Sequence, residues 1–182
     1  LGKGEVLALI GESGSGKTAT RGRDARGRSR ATSWPSWVWR RSWPAELTRL
    51  LALSAQHVVV EDAAGGVIGY ALVFAHDADY DGEEFQILRR QLAEPFLYID
   101  QIALAPSARG RGIGRLVYAG LAQRAEAQGL RALCCEVNTQ PANPASLAFH
   151  ERLGFRPLGT LATQDGRQVV LLQRRLDPAL SR

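Results

Sequence analysis

Residues 97–129 constrain this chain more than any other stretch. "LYIDQIAL" is strand-like, a loop of four or five residues follows, and the basic glycine turn "ARGRGIG" runs straight into a helix. Ile113, Val117, Leu121 and Ala125 recur along that helix every four residues, and Gly129 stands where a C-terminal cap belongs. A strand that turns directly into an amphipathic helix belongs to a layered domain in which helices cover a sheet.

The chain from Pro44 onward reads the same way. "PAELTRLLALSAQ" has leucines near helical spacing, and "HVVVED" and "VIGYALVF" read as strands joined by a turn at Gly65 and Gly66. "DADYDGEEFQILRRQLAEP" is a polar connection with a short helix. "LRALCCEVN" is a strand. "NPASLAFHERLGF" is a second helix, with Asn143 as N-cap, Pro144 in the first position and Gly154 as terminator. "RQVVLLQRRL" closes as a strand. The expected fold class is therefore α/β (α+β), with a mixed central sheet flanked by helices.

The first 43 residues have another texture. "GESGSGKT", residues 11–18, fits the phosphate-binding P-loop pattern, and "GEVLALI" before it reads as a short strand. The stretch up to Thr18 resembles the start of an ABC transporter ATPase, but nothing after residue 20 continues the resemblance. A working P-loop needs a helix behind it, and residues 19–43, rich in Arg, Gly, Ser and Trp, have no periodicity that would anchor one. The expected domains are thus an irregular basic leader at 1–43, not a folded domain, and an α/β domain at 44–182. With no initiator Met, the leader is expected to be a fused fragment or an out-of-frame reading.

Charge follows the same division. The net +5 of the chain resides in the leader, which has nine basic and three acidic residues, while residues 44–182 have fourteen and fifteen. No nucleic-acid partner is expected of so neutral a domain. No apolar run approaches the ~18 residues of a spanning helix, so no membrane segment is expected. The two cysteines, Cys134 and Cys135, are neighbours on a strand and point to opposite faces, which argues against a mutual disulfide. Metal-ligand spacing is absent, no signal peptide is read at the start, and the expected compartment is the cytoplasm.

The second glycine motif carries the functional reading. Arg109, Gly112 and Gly114 give the pattern R-x-x-G-x-G at a helix start, where glycines let a backbone approach a ligand and free N–H groups face it. A pyrophosphate suits such a turn, with Arg111 and Arg115 adding charge. About thirty residues on comes "NPASLAFHERLGF". This pair of motifs resembles the GNAT superfamily of N-acetyltransferases, well over 66–158 and loosely over 44–175.

The resemblance implies an acetyl-CoA cleft between two splayed parallel strands, 97–104 and 130–138. Ile102, Ala103 and Leu104 would pair with the pantetheine arm. Gly110, Arg111, Gly112, Ile113, Gly114 and Arg115, with Arg109 opening the motif, would wrap the pyrophosphate, and Asn143 would contact the cofactor arm. The implied reaction is direct transfer of acetyl from acetyl-CoA to a primary amine of a small molecule or peptide, in a ternary complex. Homodimerisation is left open. A lysine-like amine with pKa near 10.4 costs roughly 4–5 kcal/mol to neutralise at pH 7, so a carboxylate base is expected. Glu136 ranks first and Asp100 second. A polar side chain satisfied at a strand end is the alternative for either.

The family's usual tyrosine acid, seven residues after the helix-start asparagine, is replaced here by His150. Histidine can donate a proton near neutral pH. It can equally hydrogen-bond the sulfur or simply pack. Tyr118 is expected to pack, and the Leu104 N–H is the candidate for polarising the thioester oxygen. His76, Asp77, Asp79, Tyr80, Asp81, Glu83 and Glu84 form an acidic connection that could draw in a cationic amine or be plain solvated loop. The family's first strand falls in the Trp/Arg stretch, where "SWVWR" could serve as an edge. A P-loop ATP-binding fragment and a non-catalytic CoA-binding module are the competing readings.

Overall fold

The computed structural model describes residues 7–10 (backbone only), 49–54, 57–62 and 65–176. The P-loop-like motif at 11–18 and the Trp/Arg stretch at 19–43 lie outside the described residues. Of the helix expected from Pro44, residues 49–53 are described, and they are helical.

Among the described residues seven strands form one sheet. In chain order they are β1 (Leu7–Ile10), β2 (Val58–Glu61), β3 (Val67–Ala75), β4 (Phe96–Leu104), β5 (Ala132–Gln140), β6 (Arg156–Ala162) and β7 (Gln168–Arg175). Their spatial order is β1-β2-β3-β4-β5-β7-β6. Neighbours are antiparallel except β4 and β5, which run parallel. Parallel neighbours need a crossover, and helix α2 (Ile113–Ala127) supplies it. Helix α1 (Glu83–Gln91) precedes β4, and α3 (Pro144–Arg152) follows β5.

The edge strand comes from an unexpected place. Leu7–Ile10 pairs antiparallel with Val58–Glu61, so four residues of the expected leader extend the sheet. "SWVWR", expected as that edge, lies outside the described residues.

Side-chain alternation divides the core in two. On one face Leu97, Ile99, Leu133 and Cys135 meet Ile113, Val117, Tyr118 and Leu121 of α2. On the other, Phe74, Phe96, Tyr98 and Cys134 meet Phe85 and Leu88 of α1. Cys134 and Cys135 thus lie on opposite faces, as a strand requires.

The helix ends behave as the sequence indicates. Asn143 Oδ1 accepts the Ser146 N–H at 3.2 Å, and the Phe155 N–H returns to the His150 carbonyl at 3.0 Å around Gly154. The α2 end closes likewise, from the Leu130 N–H to the Ala125 carbonyl at 2.9 Å.

Candidate active site

Strands β4 and β5 part company halfway along. Their pairing runs from Phe96↔Ala132 to Ile99↔Cys135 and stops. The register of β4 against β3 shows why. Leu72 faces Gln101 and Val73 faces Ile99, so Asp100 is an extra residue, a β-bulge. A bulge bends its own strand and sharpens the local twist. Beyond it, Asp100–Leu104 keeps β3 on one side only, while β5 continues along β7. The edge of β4 that turned away from β5 carries Ile102, Ala103 and Leu104.

A cleft of about 490 Å³ opens at this fork. Asp100, Gln101, Glu136 and Asn138 line it from the two strands, and Tyr118, Ser146 and His150 line it from α2 and α3. Asp100, Glu136 and His150, which the sequence singles out separately, therefore converge on one space.

Two tyrosine–carboxyl pairs form its polar wall. Tyr98 donates to Glu136 Oε2 at 2.6 Å, and Tyr80 donates to Asp100 Oδ1 at 2.6 Å. Tyr80 is held by stacking on Phe74, ring centroids 4.0 Å apart and 11° from parallel. Burial pushes Glu136 up to about 8, further raised by the charges of Asp100 and Glu84 and opposed by the Tyr98 hydrogen bond. Burial raises Asp100 as well, against the pull of Tyr80.

The raised Glu136 value has a consequence for stability. Between its ordinary 4.5 and about 8, the folded chain holds a proton that the unfolded chain has released. Stability then falls as pH rises through that window. Urea midpoints at pH 6 and pH 9 should show this loss in the wild type and a smaller one in Glu136→Gln.

The opposite wall is a tyrosine–histidine pair. His150 is buried, and its Nδ1 lies 2.8 Å from the Ser146 carbonyl oxygen, which can only accept. Nδ1 therefore carries the proton, and Nε2 accepts from the Tyr118 hydroxyl at 2.6 Å. Burial lowers the His150 pKa, partly offset by the Ser146 carbonyl, so the neutral ring dominates at pH 7. Tyr118 packs against Phe149 and Phe155, as expected of it, and also lines the cleft.

The glycine turn is shaped for an anion. Gly112, at φ +77°, is the N-cap residue of α2, and no side chain caps that helix start. A Cβ built on Gly110 or Gly112 meets nothing within 4 Å, so their left-handed backbone, rather than crowding, calls for glycine. The first-turn N–H groups, which no helix can satisfy internally, have no side-chain cap, and Arg111 and Arg115 flank this helix start in sequence. At Gly114 the demand is steric, since a Cβ there would sit 3.0 Å from Phe149 Cζ. Asn143 uses its oxygen on the α3 cap and keeps its amide N–H groups for other partners.

The acidic connection before β4 is less solvated than its composition suggests. Asp81 pairs with Arg49 at 3.2 Å, and Glu83 Oε2 accepts the Gln164 N–H at 2.9 Å. Glu84 is 8% exposed and pairs with Arg167 at 3.0 Å. Sequence reading missed Asn138 and Ser146 as groups of this cleft, and Tyr98 and Arg167 as partners of groups that line it. Strand alternation would have put Tyr98 and Glu136 on one face, but only with the β4–β5 register in hand.

A forked parallel pair, a bulge and an anion-shaped helix start place the fold, and a family comparison decides it. The acetyltransferase (GNAT) family model matches residues 28–155. The chain belongs to the GNAT family. The match begins inside the segment expected to be leader.

An L-methionine sulfoximine/L-methionine sulfone acetyltransferase of Pseudomonas aeruginosa is 32% identical over 129 residues, 68% of this chain and 67% of the relative. A phosphinothricin N-acetyltransferase of Streptomyces coelicolor is 44% identical over 59 residues, 32% of this chain and 33% of the relative. A phosphinothricin acetyltransferase from Sinorhizobium meliloti, solved with acetyl-CoA, aligns at a TM-score of 0.52 and 28% identity. That alignment covers 72% of this chain and 66% of the solved one. The IAA acetyltransferase from Bacillus cereus shares the fold at a TM-score of 0.57 and 13% identity, over 94% of this chain and 100% of its own.

The GNAT chain described here is thus an N-acetyltransferase with acetyl-CoA as co-substrate. The uncapped α2 start, the open space at Gly110 and Gly112 and the free edge of β4 fit that molecule. Among the described residues no group of His, Cys, Asp and Glu could hold a metal, and no helix is long and apolar enough to cross a membrane.

Proposed function

We propose that this enzyme acetylates the α-amine of a small, amino-acid-like molecule by direct transfer from acetyl-CoA. The observation that carries the reading is the cleft at the β4–β5 fork, with carboxyls on one wall and the Tyr118–His150 pair on the other. The names of the relatives, which act on methionine sulfoximine and phosphinothricin, support an acceptor of that kind.

Glu136 is the base in this reading, with Asp100 beside it. A base of about 8 lies closer to an α-ammonium group, roughly 7.7–8.0 in peptides and higher beside the free carboxylate of an amino acid, than to a lysine ε-ammonium, so taking its proton costs less. A lysine ε-ammonium near 10.4 would leave that transfer about 3 kcal/mol uphill. The neutral amine attacks the thioester carbonyl, whose oxygen takes the Leu104 N–H, while the pyrophosphate lies on residues 110–115 and the arm runs along Ile102–Leu104 and Asn143.

The departing thiolate is met by the Tyr118 hydroxyl, whose single O–H turns from His150 Nε2 to the sulfur. The second proton of the attacking nitrogen neutralises the thiolate as the intermediate collapses. Burial disfavours the imidazolium, which supports stabilisation of the sulfur by hydrogen bonding over transfer from a standing imidazolium. Tyr118→Phe keeps the ring and removes the donor. The expected result is a kcat ~10–100-fold lower with the KM for acetyl-CoA unchanged. Unchanged kcat would remove Tyr118 from the reaction. In the same assay an amino acid with a blocked side-chain amine should outrun one whose α-amine is blocked.

A further inference from the structure

Arg167 is absent from the cleft lining, yet it joins three pieces of structure around it. Its Nε donates to Asp165 Oδ2 at 2.7 Å, one terminal nitrogen to Asn138 Oδ1 at 3.1 Å, and the other to Glu84 Oε1 at 3.0 Å. Those acceptors belong to the β6–β7 turn, to β5 and to α1. The turn itself is built to aim it. Thr163 is buried, its hydroxyl bonds Asp165 and the Arg167 carbonyl, and its N–H bonds the same carbonyl at 2.9 Å.

Asn138 is the link to the site, because it lines the cleft. A guanidinium has only donors, so its bond fixes which end of the Asn138 amide is oxygen. The amide NH2 then points away from Arg167.

We propose that Arg167 is a positioning residue that sets acceptor specificity: it locks the Asn138 amide so that its N–H donors face the cleft, and it neutralises Glu84 behind the Asp100–Glu136 pair. The proposal rests on the acetyl-transfer reading above and names the substrate more closely. The acceptor carries an oxygen acceptor, such as a carboxylate or sulfoximine oxygen, within reach of Asn138 while its amine meets Glu136.

The charge part follows from what faces Glu136. Tyr98 and Asp100 face it from β4, Tyr80 from the loop before α1, Glu84 from α1, Tyr118 and His150 from α2 and α3, and Cys135 precedes it on β5. Arg167 is the cation paired with Glu84, one of these groups. Burial drives Asp100 up, Tyr80 draws it down, and the Arg167 charge draws it down further. Without that charge Glu84 would stand unpaired against two other carboxyls.

The test measures thiol release from acetyl-CoA with an amino acid and with the plain alkylamine of the same length, for wild type, Arg167→Met and Arg167→Lys. Wild type must first turn over; if it releases no thiol with any amine, the acetyl-transfer reading fails and Arg167 is not at issue. Arg167→Met should lower kcat/KM for the amino acid ~10–100-fold, change the alkylamine less, and move the midpoint of the rising pH limb upward.

Arg167→Lys keeps a point charge but cannot hold three acceptors in a plane. It should restore the pH midpoint and leave the discrimination lost. Acetyl-CoA should still raise the melting temperature of each variant. Equal losses for both amines with an unmoved pH midpoint would mark Arg167 as merely structural and overturn the proposal, as would wild-type behaviour of Arg167→Met. Should Arg167→Met not fold, Arg167→Lys decides on discrimination alone.

Discussion

Glu136→Gln should lower kcat/KM for the amine by ~10²–10⁴-fold, the usual weight of a positioned general base. Acetyl-CoA should bind as before, because the glutamine oxygen can still accept from Tyr98 in place of Oε2. The signature is in the pH profile. Wild-type kcat/KM should climb as Glu136 loses its proton and level off above about 8. The variant has no proton to lose there, so that limb should vanish along with the rate. Asp100→Asn, on the same wall, should leave the limb in place and move its midpoint down, since the Asp100 charge raises Glu136. A variant that keeps both rate and limb would remove Glu136 from the chemistry.

The second large effect belongs to the glycine turn. Saturating acetyl-CoA, at ~100 times its dissociation constant, should add about 2.7 kcal/mol to the stability of the wild type. Gly112→Trp should abolish that gain. At φ +77° any L side chain is strained by roughly 1–2 kcal/mol, and an indole would fill the open space in front of the α2 N–H groups. Glu126→Trp, exposed at the far end of the same helix, should keep the full gain. A gain with Mg-ATP that depends on Lys17 would instead return attention to "GESGSGKT".

Much of this architecture was legible because the chain's patterns are strong. Helix α2 announces itself by its four-residue apolar spacing and Gly129, and α3 by Asn143, Pro144 and Gly154; both sit where the residues put them. Strand β6 was not legible. Arg156–Ala162 lies at the sheet edge, nearly all exposed, with Pro157 and Gly159 inside it, so it needs no apolar alternation to form. Nor could the sequence reveal that Leu7–Ile10 closes the other edge, since a four-residue apolar strand fits any sheet that offers a partner.

The site divides in the same way. The glycine turn was legible from residue type and spacing, whereas Asp100, Glu136 and His150 stand out through the resemblance to the GNAT superfamily. The fork depends on one extra residue in β4, and a bulge leaves no composition signal. The Tyr80–Asp100 and Tyr98–Glu136 bonds join residues 20 and 38 apart, and Arg167 reaches Glu84 across 83. Such contacts arise only from strand register and from which face each side chain takes.

Thiol release from acetyl-CoA by the full chain, with and without L-methionine sulfoximine or phosphinothricin, tests the central claim most directly. Amine-dependent release of one thiol per acetylated product, rising with pH up to about 8, is the predicted result. Binding of acetyl-CoA with no amine-dependent release, across those two and a wider panel of α-amines, would contradict it and leave a cofactor-binding module in place of an enzyme.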